Sequence, residues 1–139
     1  FKDSAKVLND KTLVIFISQS GETADTLKAL DVANETSKTL AIVNVRGSSA
    51  TRRADYVIQT QAGPEIGVAA TKTYVSQLIA IYLFSALLAD DTDLLKRLEK
   101  VPAYIDEVLK KQGIIREISH LYKSRSCFYR SWFYSYRQH

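Results

Sequence analysis

Three hydroxyls, a glutamine and a glycine stand together in Ser18-Gln19-Ser20-Gly21-Glu22-Thr23. Side chains of this kind hold anions. Ser18, Ser20 and Thr23 supply O–H donors, and Gly21 lets the backbone approach a ligand closely. The nearly all-apolar run Thr12-Leu13-Val14-Ile15-Phe16-Ile17 leads straight into the segment, and a helical pattern follows it. A strand thus enters a short loop that opens a helix. There, unpaired N–H groups and the positive end of the helix dipole favour a group such as phosphate. The ordinary alternative is a capping turn with Ser20 or Thr23 as N-cap. Three hydroxyls around one glycine favour the anion site.

The elements that must position this loop follow from hydrophobic spacing. The run 12–17 reads as a strand buried on both faces of a parallel sheet. Residues 22–35 read as a helix, with Ala24, Leu27, Leu30, Val32 and Ala33 near helical spacing. A second strand is expected over 39–45. The turn Arg46-Gly47-Ser48-Ser49 leads into a short helix capped by Ser48 or Ser49. A third strand covers 54–60, a Gly63-Pro64 loop follows, and a long apolar helix runs from about 71 to 88. Residues 91–112 read as an amphipathic helical region, kinked or restarted at Pro102. The acidic run Asp90-Asp91-Thr92-Asp93 reads as a solvated helix cap, and a further helix begins at Gly113.

Strands alternating with helices predict right-handed βαβ units and a parallel sheet. Such sheets bind ligands beyond the carboxyl ends of their strands, at a topological switch point. Ser18 and Asn44 fall at strand ends, and the Gly63-to-Thr71 loop follows a third, which predicts one pocket.

Composition narrows the function class. The 139 residues make one domain's worth of core, with 46% apolar residues and a mean hydropathy of -0.12. Leu78 to Ala89 is too short to span a bilayer, and no signal peptide is visible. The single cysteine, Cys127, excludes an internal disulfide and a cysteine metal site, so a reducing cytoplasm is expected. The pI of 9.2 would suit nucleic acid, but the charge is not spread over the chain. Residues 1–118 are neutral overall, and Lys123, Arg125, Arg130 and Arg137 supply the whole net +4. Residues 119–139 also hold both histidines, the only tryptophan and half of the aromatics. So sharp a break marks a boundary between a neutral domain at 1–118 and an atypical basic, aromatic tail at 119–139. His120 and His139 have no partner carboxylate pattern and make no case for catalysis or metal.

A second unusual stretch, Ala62-Gly63-Pro64-Glu65-Ile66-Gly67-Val68-Ala69-Ala70-Thr71-Lys72, precedes Thr73-Tyr74-Val75-Ser76-Gln77-Leu78. With the SQSGET loop, it resembles a sugar isomerase (SIS) domain, and more narrowly the first such domain of the glucosamine-6-phosphate synthases. SQSGET is shared by many phosphosugar proteins, whereas GxEIGVAxTKxxxxQL points to the synthase branch. The likeness covers about residues 1–118.

The resemblance implies an α/β fold, a three-layer αβα sandwich with a flavodoxin-like parallel sheet and a helical C-terminal part. It implies phosphate binding by Ser18, Gln19, Ser20 and Thr23, which match the family's loop position by position. It places Val68 and Ala70 in the sugar pocket; relatives usually carry serine at the latter position, so a hydroxyl contact is absent there. Glu65 is either a sugar-facing carboxylate or an N–H partner that orders the loop. Lys72 is either a phosphate neighbour or a solvated helix residue, and Tyr74 and Gln77 read as packing or interface residues.

Such synthases carry a glutaminase domain and two SIS domains. The resemblance implies that this chain starts after the family's first strand and its Cys-Gly-Thr-Ser loop. The acid–base glutamate, ring-opening histidine and Schiff-base lysine would lie in the second SIS domain and the family's C-terminal tail. A sugar-phosphate site with positioning residues only is expected, with no cofactor, no metal, no nucleic acid or membrane partner, and self-association as a dimer. The chain alone is expected to be inactive. The alternative is a non-catalytic sugar-phosphate-sensing module of a regulator, its basic tail contacting a partner; the EIGVA-TK signature favours the enzyme.

The tail also reads as an out-of-frame product. Shifted by one nucleotide, Cys127-Phe128-Tyr129-Arg130-Ser131-Trp132-Phe133 can encode Val-Phe-Ile-Gly-Arg-Gly. The tryptophan codon forces the final glycine, and the Arg and Ser codons are free to fit. The resemblance predicts an apolar strand ending in Gly-Arg-Gly at the start of the second SIS domain. A genuine partner-binding tail is the other reading.

Overall fold

The structure, a computed structural model, describes residues 8–66 and 70–122. One of its two compact units is built on a parallel sheet. β1 (Leu13–Ser18) is rich in the β-branched and aromatic residues that suit a pleated surface. β2 (Lys38–Val43) pairs with it along its whole length, Leu13 opposite Lys38 and Ser18 opposite Val43. β3 (Tyr56–Gln59) pairs with the far side of β2, from Leu40 opposite Tyr56 to Val43 opposite Gln59. α1 (Ala24–Asn34) joins β1 to β2, and α2 (Ser49–Arg53) joins β2 to β3.

Phe16, Ala41 and Val43 project from the sheet into a core completed by Leu30 and Ala33 of α1 and Ala50 of α2. Both crossovers therefore lie on one face. Right-handed connections demand this when strands are added in one direction. The order β1-β2-β3 contains no reversal among the described residues, so the expected switch point is not found there. The strand ends alone mark the ligand side.

Burial follows position in the sheet. Leu40 and Ile42 are buried on the face opposite α1, so β2 is covered on both sides. β1 is not, contrary to the expectation for the run 12–17. Leu13, Ile15 and Ile17 are 41%, 42% and 46% exposed, because β1 is an edge strand among the described residues and only its Phe16 face is packed.

At the amino ends of β2 and β3, the buried Thr39 hydroxyl lies 2.7 Å from Asn34 Oδ1 and accepts the Asp55 N–H at 3.0 Å. The Asp55 carboxylate accepts from Lys38 Nζ at 3.0 Å and from the Thr39 N–H at 2.9 Å. Lys38 and Thr39 together hold its pKa below the usual carboxylate value. The network anchors the sheet at the end away from the loops.

α3 (Lys72–Leu88) divides between two compact units. Residues 70–81 belong with the sheet, and residues from Tyr82 onward belong to a helical unit containing α4 (Thr92–Leu98), α5 (Val101–Lys110) and α6 (Gln112–Tyr122). Asp91 caps α4 as its position predicts, accepting the Leu94 N–H at 2.8 Å. Pro102 sits in the first turn of α5, so the chain breaks before it instead of kinking at it. No helix among the described residues is long and apolar enough to cross a membrane. The tail beyond Tyr122, with Cys127, lies outside the described residues.

Candidate phosphate site and its supporting loops

The loop after β1 is folded by its own hydroxyls. Ser18 Oγ accepts the Gly21 N–H at 2.9 Å, and Ser20 Oγ accepts the Glu22 N–H at 3.2 Å. A hydroxyl that accepts still carries its own hydrogen, so both serines keep a donor for a ligand. Gly21 has φ +66°, the left-handed region that glycine enters without a steric penalty. A β-carbon there would also overlap the Ser48 side chain. The Gly21 carbonyl accepts the Ala50 N–H at 3.0 Å, and the Gln19 carbonyl accepts the Asn44 N–H at 3.2 Å. The loop is thus braced from two neighbouring segments.

Thr23 is the N-cap of α1, with φ -64° and ψ 119°, and its side chain makes no capping bond. Thr23 thus takes the N-cap position that the capping alternative gave it, but without a capping bond: its hydroxyl is exposed and uncommitted, and the first amides of α1 lack a side-chain acceptor. Ser20 serves its own turn instead of a helix end. The result is a group of N–H and O–H donors at the carboxyl end of β1, a composition suited to an oxyanion.

Two acids follow the glycine, which looks unfavourable for an anion site. The structure resolves the problem for Glu22. Its Oε1 accepts the Ser49 N–H at 2.7 Å, where α2 begins. Hydrogen bonds from Ser49, with help from Arg52 and Arg53, hold its carboxyl below the usual range. Glu22 thus fastens the loop to α2, its charge balanced by those partners. Asp25 is exposed in the first turn of α1, where a carboxylate complements the helix dipole.

The segment after β3 forms the second part. Asn44, just past the end of β2, is 8% exposed. Its Nδ2 donates to the Gly63 carbonyl at 2.7 Å, and its Oδ1 accepts from the Ala62 N–H at 2.7 Å and Thr60 Oγ1 at 3.2 Å. Gly63, at φ +74°, turns the chain beside the Lys72 ammonium.

Glu65 then receives four hydrogen bonds. Its Oε2 accepts from Thr73 Oγ1 at 2.6 Å, the Thr73 N–H at 3.1 Å and the Thr71 N–H at 3.2 Å. Its Oε1 accepts from Thr71 Oγ1 at 2.9 Å. The hydroxyl and N–H of Thr73, with the N–H of Thr71, lower its pKa to about 2. Of the two roles open to Glu65 in the sequence, the geometry displays the N–H partner that orders the start of α3. Thr73, fully buried, is a partner that sequence reasoning missed; a threonine at the start of a helix, eight residues after a loop glutamate, was the available signal.

Ser18, Gln19, Ser20 and Thr23 are thus brought together at one loop. Ala70 is exposed two residues before α3, and Val68 lies outside the described residues. Tyr74 is 56% exposed on α3, and Gln77 is half-buried there. His120 is exposed on α6; His139 lies outside the described residues. Among the described residues no three His, Cys, Asp or Glu side chains gather as a metal site would require.

Residues 1–87 match the SIS domain family. The chain is 60% identical over 119 residues to a glutamine–fructose-6-phosphate aminotransferase (isomerizing) of Methanothermobacter thermautotrophicus, covering 86% of this chain and 20% of the relative. It is 48% identical over 133 residues to the protein of that name from Thermococcus kodakarensis, covering 88% of this chain and 22% of the relative. Among solved structures, the C-terminal domain of glucosamine-fructose-6-phosphate aminotransferase from Francisella tularensis superposes with a TM-score of 0.76 at 36% identity. That match covers 85% of this chain and 36% of that one. The chain therefore spans about a fifth of the length of these curated relatives.

Proposed function

Because this chain belongs to the SIS domain family, we propose that its Ser18–Thr23 loop binds the phosphate of fructose 6-phosphate or glucosamine 6-phosphate. The chain is then part of a glutamine–fructose-6-phosphate aminotransferase of amino-sugar synthesis. The observation that carries this reading is the loop itself. Ser18 and Ser20 keep free protons after folding the turn, and the N-cap Thr23 hydroxyl is left uncapping at an open helix start. Gln19 adds a side-chain amide at the same strand end. The names carried by the relatives support a sugar phosphate as the ligand.

On this reading Val68 and Ala70 belong to the sugar pocket, and Glu65 orders the start of α3 beside it through its bonds to Thr71 and Thr73. These residues orient the substrate; they do not move its protons. Glu22 and Glu65 are both held below the usual carboxylate range by the hydrogen bonds they accept, which makes each a weaker base than a free carboxylate. We place the protein in the cytoplasm as a homodimer.

Calorimetric titration with fructose 6-phosphate tests the reading. Each charge-assisted hydrogen bond to the phosphate is worth about 1.5–3 kcal/mol. The double variant Ser20→Ala/Thr23→Ala is therefore expected to bind about a hundredfold more weakly or worse. A double variant that binds as well as the parent refutes the site. The same preparation is expected to convert no fructose 6-phosphate to glucose 6-phosphate, and robust turnover would show that proton-transfer groups reside in this chain.

A further inference from the structure

Asn44 belongs to neither loop, yet it is bonded to both. It follows β2, the middle strand, and its main-chain N–H reaches the Gln19 carbonyl of the phosphate loop at 3.2 Å. Its side chain is turned wholly to the other side, to Thr60, Ala62 and Gly63. β3 ends at Gln59 and the Thr60 N–H makes the last bond to β2, to the Val43 carbonyl at 3.0 Å, so the Ala62 N–H and the Gly63 carbonyl lie beyond the ladder and need other partners. The primary amide stands in for a strand: it accepts twice through Oδ1 and donates once through Nδ2. Gln61 at φ 51° and Gly63 at φ +74° show how far the chain has departed from extended geometry where Asn44 holds it. Glu65 continues the chain of bonds from this segment to Thr71 and Thr73 at the start of α3.

We propose that Asn44 is a positioning residue that sets the spacing between the phosphate loop and the loop after β3, and so selects a phosphate carried on a sugar over free phosphate. The proposal rests on the phosphate-site reading above. No other side chain of similar size reproduces the three bonds. Aspartate keeps the acceptor but sets a carboxylate oxygen against the Gly63 carbonyl, and leucine loses every bond. Inorganic phosphate needs only the first loop, whose bond to Asn44 is main chain and survives substitution. Fructose 6-phosphate needs both loops at the correct separation.

The test titrates the parent chain and Asn44→Asp with inorganic phosphate and with fructose 6-phosphate, with far-UV circular dichroism as the folding control. The expected result is a loss of about tenfold or more in affinity for fructose 6-phosphate, with inorganic phosphate changed by no more than about twofold. Parallel losses for both ligands would make Asn44 a merely structural residue and overturn the proposal, as would no loss for either. A parent chain that binds fructose 6-phosphate no better than inorganic phosphate overturns it too. A parent that binds neither refutes the phosphate site itself, and this proposal with it. If Asn44→Asp does not fold, Thr60→Val, which removes one bond to Oδ1, carries the test. The same selective loss in smaller measure supports the proposal, and its absence overturns it.

Discussion

Gly21→Ala probes the point at which the phosphate loop meets α2. Two penalties are expected. Gly21 has φ +66°, and an alanine held in the left-handed region costs about 1–2 kcal/mol. The new methyl would also overlap the Ser48 side chain, lying 2.8 Å from its Cβ and closer still to its Oγ. Ser48 is 2% exposed and cannot swing into solvent, so the overlap adds about 1–3 kcal/mol of overpacking. The sum is about 2–5 kcal/mol, a large share of a domain's stability.

The two penalties separate in a double-mutant cycle with Ser48→Gly. Ser48 is the N-cap of α2 but makes no capping bond, and its Oγ has no hydrogen-bond partner. Ser48→Gly alone should therefore change stability by only a few tenths of a kcal/mol. In the double variant the overlap vanishes and the backbone strain remains, so it should lie about 1–2 kcal/mol below the parent, with a coupling of about 1–3 kcal/mol. Urea unfolding followed by far-UV circular dichroism measures all four corners. A Gly21→Ala penalty that Ser48→Gly leaves untouched would refute the steric argument, and a cost below about 1 kcal/mol would refute both parts.

Three further outcomes are expected. Glu65 has a folded pKa of about 2 against an ordinary 4.5, so its bonds stabilise the fold fully above pH 4.5, and that contribution fades as the pH falls toward 2. Glu65→Gln should flatten this part of the acid-unfolding curve, and an unchanged pH profile would contradict the four-bond arrangement. Leu13, Ile15 and Ile17 on edge strand β1, and Tyr74, Val75, Leu78 and Tyr82 on α3, leave apolar surface open; self-association by light scattering is expected, and a clean monomer would count against it. Finally, the coding DNA over Cys127–Phe133 should read Val-Phe-Ile-Gly-Arg-Gly one nucleotide later, and codons that forbid it end the out-of-frame reading of the tail.

The sequence alone determined the alternation of strands and helices, the parallel sheet and the hydroxyl-rich turn after β1, because each is written in local spacing. Apolar runs set the strands, helical periodicity set α1, and SQSGET carries its donors within six consecutive positions. Asp91 as a cap was legible for the same reason: its partner, Leu94, is three residues away. Tertiary structure alone decided what the remaining polar groups do. Glu22 meets Ser49 across 27 positions and Asn44 meets Gly63 across 19, distances bridged only when the parallel register brings the strand ends level. The exposure of β1 depends equally on the assembled sheet. An apolar strand looks the same in sequence at an edge or in the middle, and only its neighbours in space determine which faces water reaches.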